Sequence, residues 1–209
     1  MNIEVAGETL VLSAGRALFR PRTRQLLIAD PHFGKAEAFR ARGVPVPEGT
    51  TVENLERIDT LIAEFTPREL VFLGDFLHDR VAEVFRQLVP WRQKHASLGM
   101  RLVRGNHDVK AGEVPAELLF QVTQEQLDPP FVYRHAPGAS PHGFTLAGHL
   151  HPAYRLRGLG RESIRLSCFW LTASGMVLPA FGEFTGCMEI PRASVDRIFV
   201  VAGERVYEA

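Results

Sequence analysis

Five short segments concentrate the side chains that could do chemistry: Asp30-Pro31-His32, Gly74-Asp75, Gly105-Asn106-His107-Asp108, His135 and Gly148-His149-Leu150-His151. Carboxylate, imidazole and amide oxygen make the mixed donor set that borderline divalent metals accept, and a pair of such ions clamps an in-line displacement at phosphorus. Taken singly the segments say little, because Asp-containing turns are common. Taken together they hold five of the chain's eight histidines, a concentration that ordinary surface composition does not produce.

Each segment has an expected role. Asp30 and His32 stand two apart at a strand end, and Pro31 should restrict Asp30 to extended geometry. Asp75 is the natural bridging carboxylate, because its two oxygens can reach two ions roughly 3.5–4 Å apart. Asn106 can offer its amide oxygen to a metal, while His107 lies over the site to contact phosphate and leaving group. Asp108 is expected to hold the other His107 nitrogen and fix its tautomer. His135, His149 and His151 complete the donor set, and a turn after Gly148 must separate the last two if they serve different ions. His78 stays open between a hydrogen-bonding partner of the ligands, a substrate contact and a surface residue, whereas His95 and His142 read as surface.

The elements that must carry these segments alternate in the first half. Gln25 to Ala29, Leu70 to Leu73 and Met100 to Val103 are short apolar runs, each ending at a ligand segment. Lys35 to Arg42 should be helical before Gly43, and Val81, Val84, Phe85 and Leu88 mark another helix. Thr50 with Glu53 three residues on predicts a capping box opening a helix that runs to Pro67. In the second half Phe131 to His135, Phe144 to Gly148, Tyr154 to Arg157, Ile164 to Leu171 and Phe199 to Tyr207 are strand candidates. A βαβα half followed by a mostly β half implies an α/β chain with two sheets packed face to face and helices outside.

Composition bounds the partners. The 209 residues suit a single domain, and 45% hydrophobic residues supply a sizeable core. Lys plus Arg equals Asp plus Glu at 24 each, so no global basic field advertises a polyanion. Local arginines, at Arg16, Arg20, Arg22 and Arg24 and at Arg155, Arg157, Arg161 and Arg165, either flank a site mouth or, as the commoner case, coat solvated faces. Cys168 and Cys187 are too few for a disulfide framework and read as small core or edge residues. With neither a signal-peptide pattern nor a long apolar run, the protein is expected to be soluble, cytoplasmic and independent of membranes.

The ordered set D-x-H, G-D, G-N-H-D, H and G-H-x-H, spanning roughly residues 25 to 152, resembles the calcineurin-like metallophosphoesterases, as does the later Leu178-Pro179-Ala180-Phe181-Gly182. That resemblance implies a four-layer αββα sandwich of two mixed sheets. It also implies that Asp30, His32, Asp75 and His151 bind one metal, that Asp75, Asn106, His135 and His149 bind the other, and that His107 is catalytic. The segments from Asp30 to Lys35 and from Leu178 to Gly186 further resemble the DNA-ligase-associated branch of the family, with departures at Pro31 and Cys187, neither a ligand. This branch implies a DNA-repair nuclease acting on single-stranded DNA or another nucleic acid, with a functional link to a DNA ligase and helicase.

Two divalent ions with Asp30, Asp75 and a bridging hydroxide leave about one net positive charge, which suits a phosphodiester anion. The nitrogen and oxygen donors disfavour calcium and, less strongly, magnesium; Mn²⁺ is the first expectation, with Fe²⁺ or Zn²⁺ as alternatives. A small-molecule phosphoesterase acting on cyclic nucleotides or nucleotide conjugates is the alternative enzyme, and a noncatalytic scaffold the alternative outside enzymes. Base-stacking aromatics are sought among Phe131, Tyr133, Phe144, Tyr154, Phe169, Trp170 and Phe181, most of which should instead be core.

Overall fold

A computed structural model of the protein describes residues 1–158, 160, 162–190 and 195–209. The first sheet runs in chain order through β1 (Asn2–Val5), β2 (Glu8–Leu12), β3 (Ala17–Arg20), β4 (Gln25–Ile28), β5 (Glu69–Leu73), β6 (Gly99–Val103) and β7 (Gln121–Thr123). β1 to β4 pair antiparallel and β4 to β7 parallel. The parallel part needs crossovers, supplied by α1 (Lys35–Ala41) and α2 (Thr50–Phe65) before β5 and by α3 (Ala82–Lys94) before β6. A short α4 (Asn106–Ala111) follows β6.

The second sheet contains β8 (Gln126–Asp128), β9 (Phe131–Tyr133), β10 (Phe144–Ala147), β11 (Pro152–Arg157), β12 (Ser163–Leu171), β13 (Gly175–Val177), β14 (Met188–Glu189), β15 (Arg197–Ala202) and β16 (Arg205–Glu208). It too is mixed: β9, β10 and β13 are mutually parallel neighbours, while β12 pairs antiparallel with β11, β13 and β15.

Period-two alternation assigns the core. Leu18, Leu27, Val71, Leu73 and Val103 of the first sheet meet Phe131, Tyr133, Leu146, Phe169 and Phe199 of the second, forming the layer between the sheets. The opposite faces of β4 to β6 pack on Leu55, Ile58 and Leu61 of α2 and Val84, Leu88 and Trp91 of α3. The two mixed sheets and flanking helices are as expected. The outer face of the second sheet is closed by Cys168, Ile190, Ile198 and Val200, a cluster to which no described helix contributes.

Several local expectations change. Three strands precede Gln25, upstream of the first apolar run that the sequence marks as a strand. The capping box at Thr50 does not form: Gly49, at φ 87°, is the N-cap, and Thr51 donates its hydroxyl to Glu37 instead. Phe199 to Tyr207 is a hairpin, turning at Gly203, rather than one strand. Of the two cysteines, read as core or edge residues, Cys168 is buried and Cys187 is exposed beside the edge strand β14.

The first arginine group neither flanks a mouth nor coats a solvated face as a unit. Arg20 is 0% exposed and spans the two sheets. It donates to both Glu8 oxygens of β2 at 2.7 and 2.8 Å, to Asp128 of β8 at 2.7 Å and to the Tyr133 hydroxyl of β9 at 2.9 Å. Burial lowers its pKa, but Glu8, Tyr133 and Asp128 outweigh that and raise it, so the guanidinium stays charged. In the second group Arg155 pairs with Glu189 at 2.8 Å, and Arg161 lies outside the described residues.

Removing the guanidinium leaves the buried Glu8 carboxylate with only the exposed Arg22, 2.7 Å away, as counter-charge. Arg20→Ala should therefore lower unfolding free energy by about 3–5 kcal/mol in urea titration; a loss under about 1 kcal/mol would match an exposed pair rather than a clasp between sheets.

Candidate metal centre

The ligand segments meet because parallel strands end at a common edge. β4, β5 and β6 are adjacent in the first sheet and release Asp30, Asp75 and Asn106; β9 and β10 are adjacent in the second and release His135 and the His149–His151 turn. Carboxyl ends of parallel strands are where open α/β sheets place their ligands. The Leu178-to-Gly182 segment stitches the two edges together: Leu178 donates its N–H to Ala147 at 2.8 Å, and Phe181 donates to Ala29 at 2.8 Å.

To aim side chains at one point the backbone leaves the pleat by left-handed turns. Asp30, His32, Asp75, His149 and His151 have φ of 52°, 49°, 47°, 73° and 50°. Asp30 is therefore not extended, contrary to the expectation from Pro31. Each such residue costs roughly 1–2 kcal/mol, strain typical of a functional site that the rest of the fold must hold in place.

Two donor groups that contain a carboxylate result. In one, His32 Nε2 lies 3.3 Å from His151 Nε2, which is 3.7 Å from Asp30 Oδ1. In the other, His135 Nε2 lies 3.0 Å from His149 Nδ1 and 3.0 Å from the Asn106 amide oxygen. Asp75 stands between them, Oδ2 3.8 Å from His32 Nε2 and Oδ1 3.5 Å from His135 Nε2.

The donors fit metal ions. Asp30 Oδ1 is buried without a hydrogen-bond partner, an expensive arrangement for a carboxylate unless a cation faces it. His135 and His151 each donate Nδ1–H to a backbone carbonyl, Leu73 at 3.1 Å and Gly186 at 3.0 Å, which leaves both Nε2 lone pairs pointing into the centre. Burial, reinforced by His151, Lys35, His107 and His78, holds His32 neutral with its pKa pushed down to about 2. Burial and His107 push His78 down to about 4, and burial and His135 lower His149. His151 differs: burial depresses it, but its contact with Asp30 and its bond to Gly186 outweigh that and raise it.

His107 belongs to neither of these two groups but makes, with His32 and His78, a third, all-histidine cluster close enough to hold an ion, its ring centroid 5.0 Å from that of His32. The orienting role expected of Asp108 is not seen. Both Asp108 oxygens accept backbone N–H groups, from Leu77 at 2.8 Å and Gly105 at 2.9 Å, because the carboxylate caps α4 from inside the fold. His107 Nδ1 instead faces the His78 carbonyl at 3.4 Å, and the two rings stack at 4.5 Å. His78, left open by its sequence position, is thus packed against the site. His95 is half-buried on Asp59 at 2.7 Å rather than on the surface, while His142 is exposed. A concavity of about 760 Å³ beside Leu12, Arg57, Glu64 and Arg205 lies away from these residues, so donor chemistry and not cavity size identifies the site.

The sequence model of the calcineurin-like phosphoesterases matches residues 23–168, and the chain belongs to that family. It is a metal-dependent phosphoesterase. Over its full length it is similar to the crystal structure of Pseudomonas putida nuclease MPE, with 40% identity, TM-score 0.89, and 100% of this chain and 99% of that one covered. This match agrees with the resemblance to the ligase-associated, PdeM-type nucleases. Yfce, a phosphoesterase from E. coli, is a distant likeness at 13% identity and TM-score 0.42, over 88% of this chain and 97% of that one. No curated protein matches significantly in sequence.

The lowered imidazoles make metal-free stability depend on pH. Unfolded histidines titrate near 6.5, so below about that pH the unfolded chain takes up protons at His32, His78 and His149 that the folded chain refuses, and stability falls as pH falls. His151 and Asp108, both raised, oppose this as two groups against three. The urea midpoint of metal-free protein should be lower near about pH 5.5 than near about pH 7.5; an equal or higher midpoint in acid would contradict neutral burial of these rings.

Proposed function

We infer that the chain, acting as one metallophosphoesterase domain over residues 1–209, is a dinuclear phosphodiesterase that hydrolyses nucleic acid, with single-stranded DNA as the first substrate to try. The observation that carries this reading is the shared carboxylate: Asp75 turns one oxygen toward each of two nitrogen-rich donor groups. The similar Pseudomonas putida protein is a nuclease, which supports the choice of substrate. A cytoplasmic DNA-repair setting with a ligase and helicase rests on the segments from Asp30 to Lys35 and from Leu178 to Gly186.

In this reading Asp30, His32, Asp75 and His151 hold one ion and Asp75, Asn106, His135 and His149 the other, with Mn²⁺ preferred over Fe²⁺ or Zn²⁺ for the mixed donors. When bound, two divalent ions supply Lewis acidity to the phosphate oxygens and activate water as nucleophile. The remaining work falls to His107. A carbonyl can only accept, so the contact with His78 places the proton of neutral His107 on Nδ1 and keeps Nε2 available to the substrate. In its protonated form the ring donates from Nε2 to the departing oxygen. Asp108 contributes indirectly, as the anchor of the turn that carries His107.

Metal-free protein should regain hydrolysis of an aryl phosphodiester and of single-stranded DNA with Mn²⁺; inactivity with Mn²⁺, Fe²⁺ and Zn²⁺ alike would count against the reading. His107→Ala should lose roughly 10²–10⁴-fold in turnover while elemental analysis still finds both metals. A metal lost from that variant would make His107 a ligand instead.

Asp75→Asn should weaken both ions together, as measured by metal content per chain after dialysis. Loss of a single ion would show that Asp75 does not bridge.

A further inference from the structure

None of the seven aromatics considered as base-stacking candidates lies among the metal-centre residues, and Phe131, Tyr133, Phe169 and Phe181 are buried core, as expected of most of them. A different set of rings leads outward from it. His107 stacks on His78 at 4.5 Å and 23°, His78 on Phe39 at 6.1 Å and 26°, and Phe39 meets Phe184 edge-on at 5.7 Å. The spacings fall within the range of interacting aromatic pairs, so the rings form a continuous column from the catalytic histidine to solvent. At its outer end Phe184 is 41% exposed.

A lone exposed phenylalanine is unremarkable, but this one is held in place from both sides. Its loop begins where Gly182 donates N–H to the Asp30 carbonyl at 3.2 Å, and ends where the Gly186 carbonyl accepts His151 Nδ1–H at 3.0 Å. Between them Glu183 pairs with Arg57 and Arg16, and the Arg57 guanidinium covers Phe181 at 3.9 Å. Two metal-centre residues therefore fix the position of an outward-facing ring.

We propose that Phe184 and Phe39 form a stacking platform for a nucleobase flanking the scissile phosphate, so that the enzyme binds its substrate by a base as well as by the phosphodiester. This deepens, and rests on, the nucleic-acid reading above. Every nucleobase offers a π-face, so such a platform binds single strands without selecting sequence; in a duplex the faces are already stacked on one another.

The test compares wild type, Phe184→Ala, Phe39→Ala and Phe184→Tyr on a short single-stranded oligonucleotide and on the same strand made abasic. Loss of a stacked base should raise KM for the ordinary strand about tenfold in either alanine variant, with kcat little changed and Phe184→Tyr close to wild type. On the abasic strand the four proteins should be alike. A 2-aminopurine reporter in the strand should be quenched on binding to metal-free wild type and less so by Phe184→Ala. Wild type that cuts both strands with equal KM, or quenching absent from wild type or unaltered by either alanine change, overturns the platform alone. If neither strand is cut while an aryl phosphodiester is, the nucleic-acid reading fails and the platform falls with it.

Discussion

Everything at this site depends on two buried carboxylates that are each half satisfied. Asp30 accepts the His149 N–H at 2.7 Å through Oδ2, and Asp75 accepts the His107 N–H at 2.8 Å through Oδ1. Each bond ties one motif to another far along the chain, so the side chains that would hold the ions also hold the loops together. Of the remaining oxygens, Asp30 Oδ1 is buried without a hydrogen-bond partner, and Asp75 Oδ2 lies 3.8 Å from His32 Nε2. Two anions buried this closely repel, and a fold that keeps them together without cations bears that cost directly. Metal binding would relieve it, and so should act as a contribution to folding as much as to catalysis.

The motif glycines express the same constraint sterically. A Cβ on Gly74 would run into His135, one on Gly105 into Asp75, and one on Gly148 into Asp30. Glycine is needed at these three positions for close approach, because the turns from both sheets pass through one small volume. Strand order makes that convergence possible, and the Arg20 clasp with Glu8, Asp128 and Tyr133 joins the sheets through a second, separate set of contacts. Packing fixes how the sheets sit; the ligand turns then meet without further adjustment.

Legibility in the sequence followed how local each cause was. The apolar runs ending at Asp30, Asp75 and Asn106 were readable because a buried parallel strand needs a continuous hydrophobic stretch and its loop supplies the chemistry. β1 to β3 were missed because they are short and partly polar, and the burial of Arg20 depends on Asp128 more than a hundred residues away. Asp108 looked like a partner for His107 because adjacency was the only information at hand, whereas Leu77, thirty-one positions back, is what it binds. The left-handed turn at Asp30 likewise overrides the local bias from Pro31, since tertiary contacts outweigh a dipeptide preference.

The aromatic column was illegible for the same reason, and its position bears on specificity. Phe39 comes from α1, His78 from the loop after β5, and Phe184 from the segment that stitches the sheets, so no window of sequence contains it. The ions would bind what all phosphodiesters share and cannot distinguish among them. Discrimination must come from groups beyond the phosphate, and near His107 the described rings are the surface that a substituent would meet. Because Gly182 and Gly186 bond to Asp30 and His151, a shift in the metal centre would move Phe184 with it. Ion binding and substrate selection would then be coupled mechanically through a five-residue loop rather than through a separate domain.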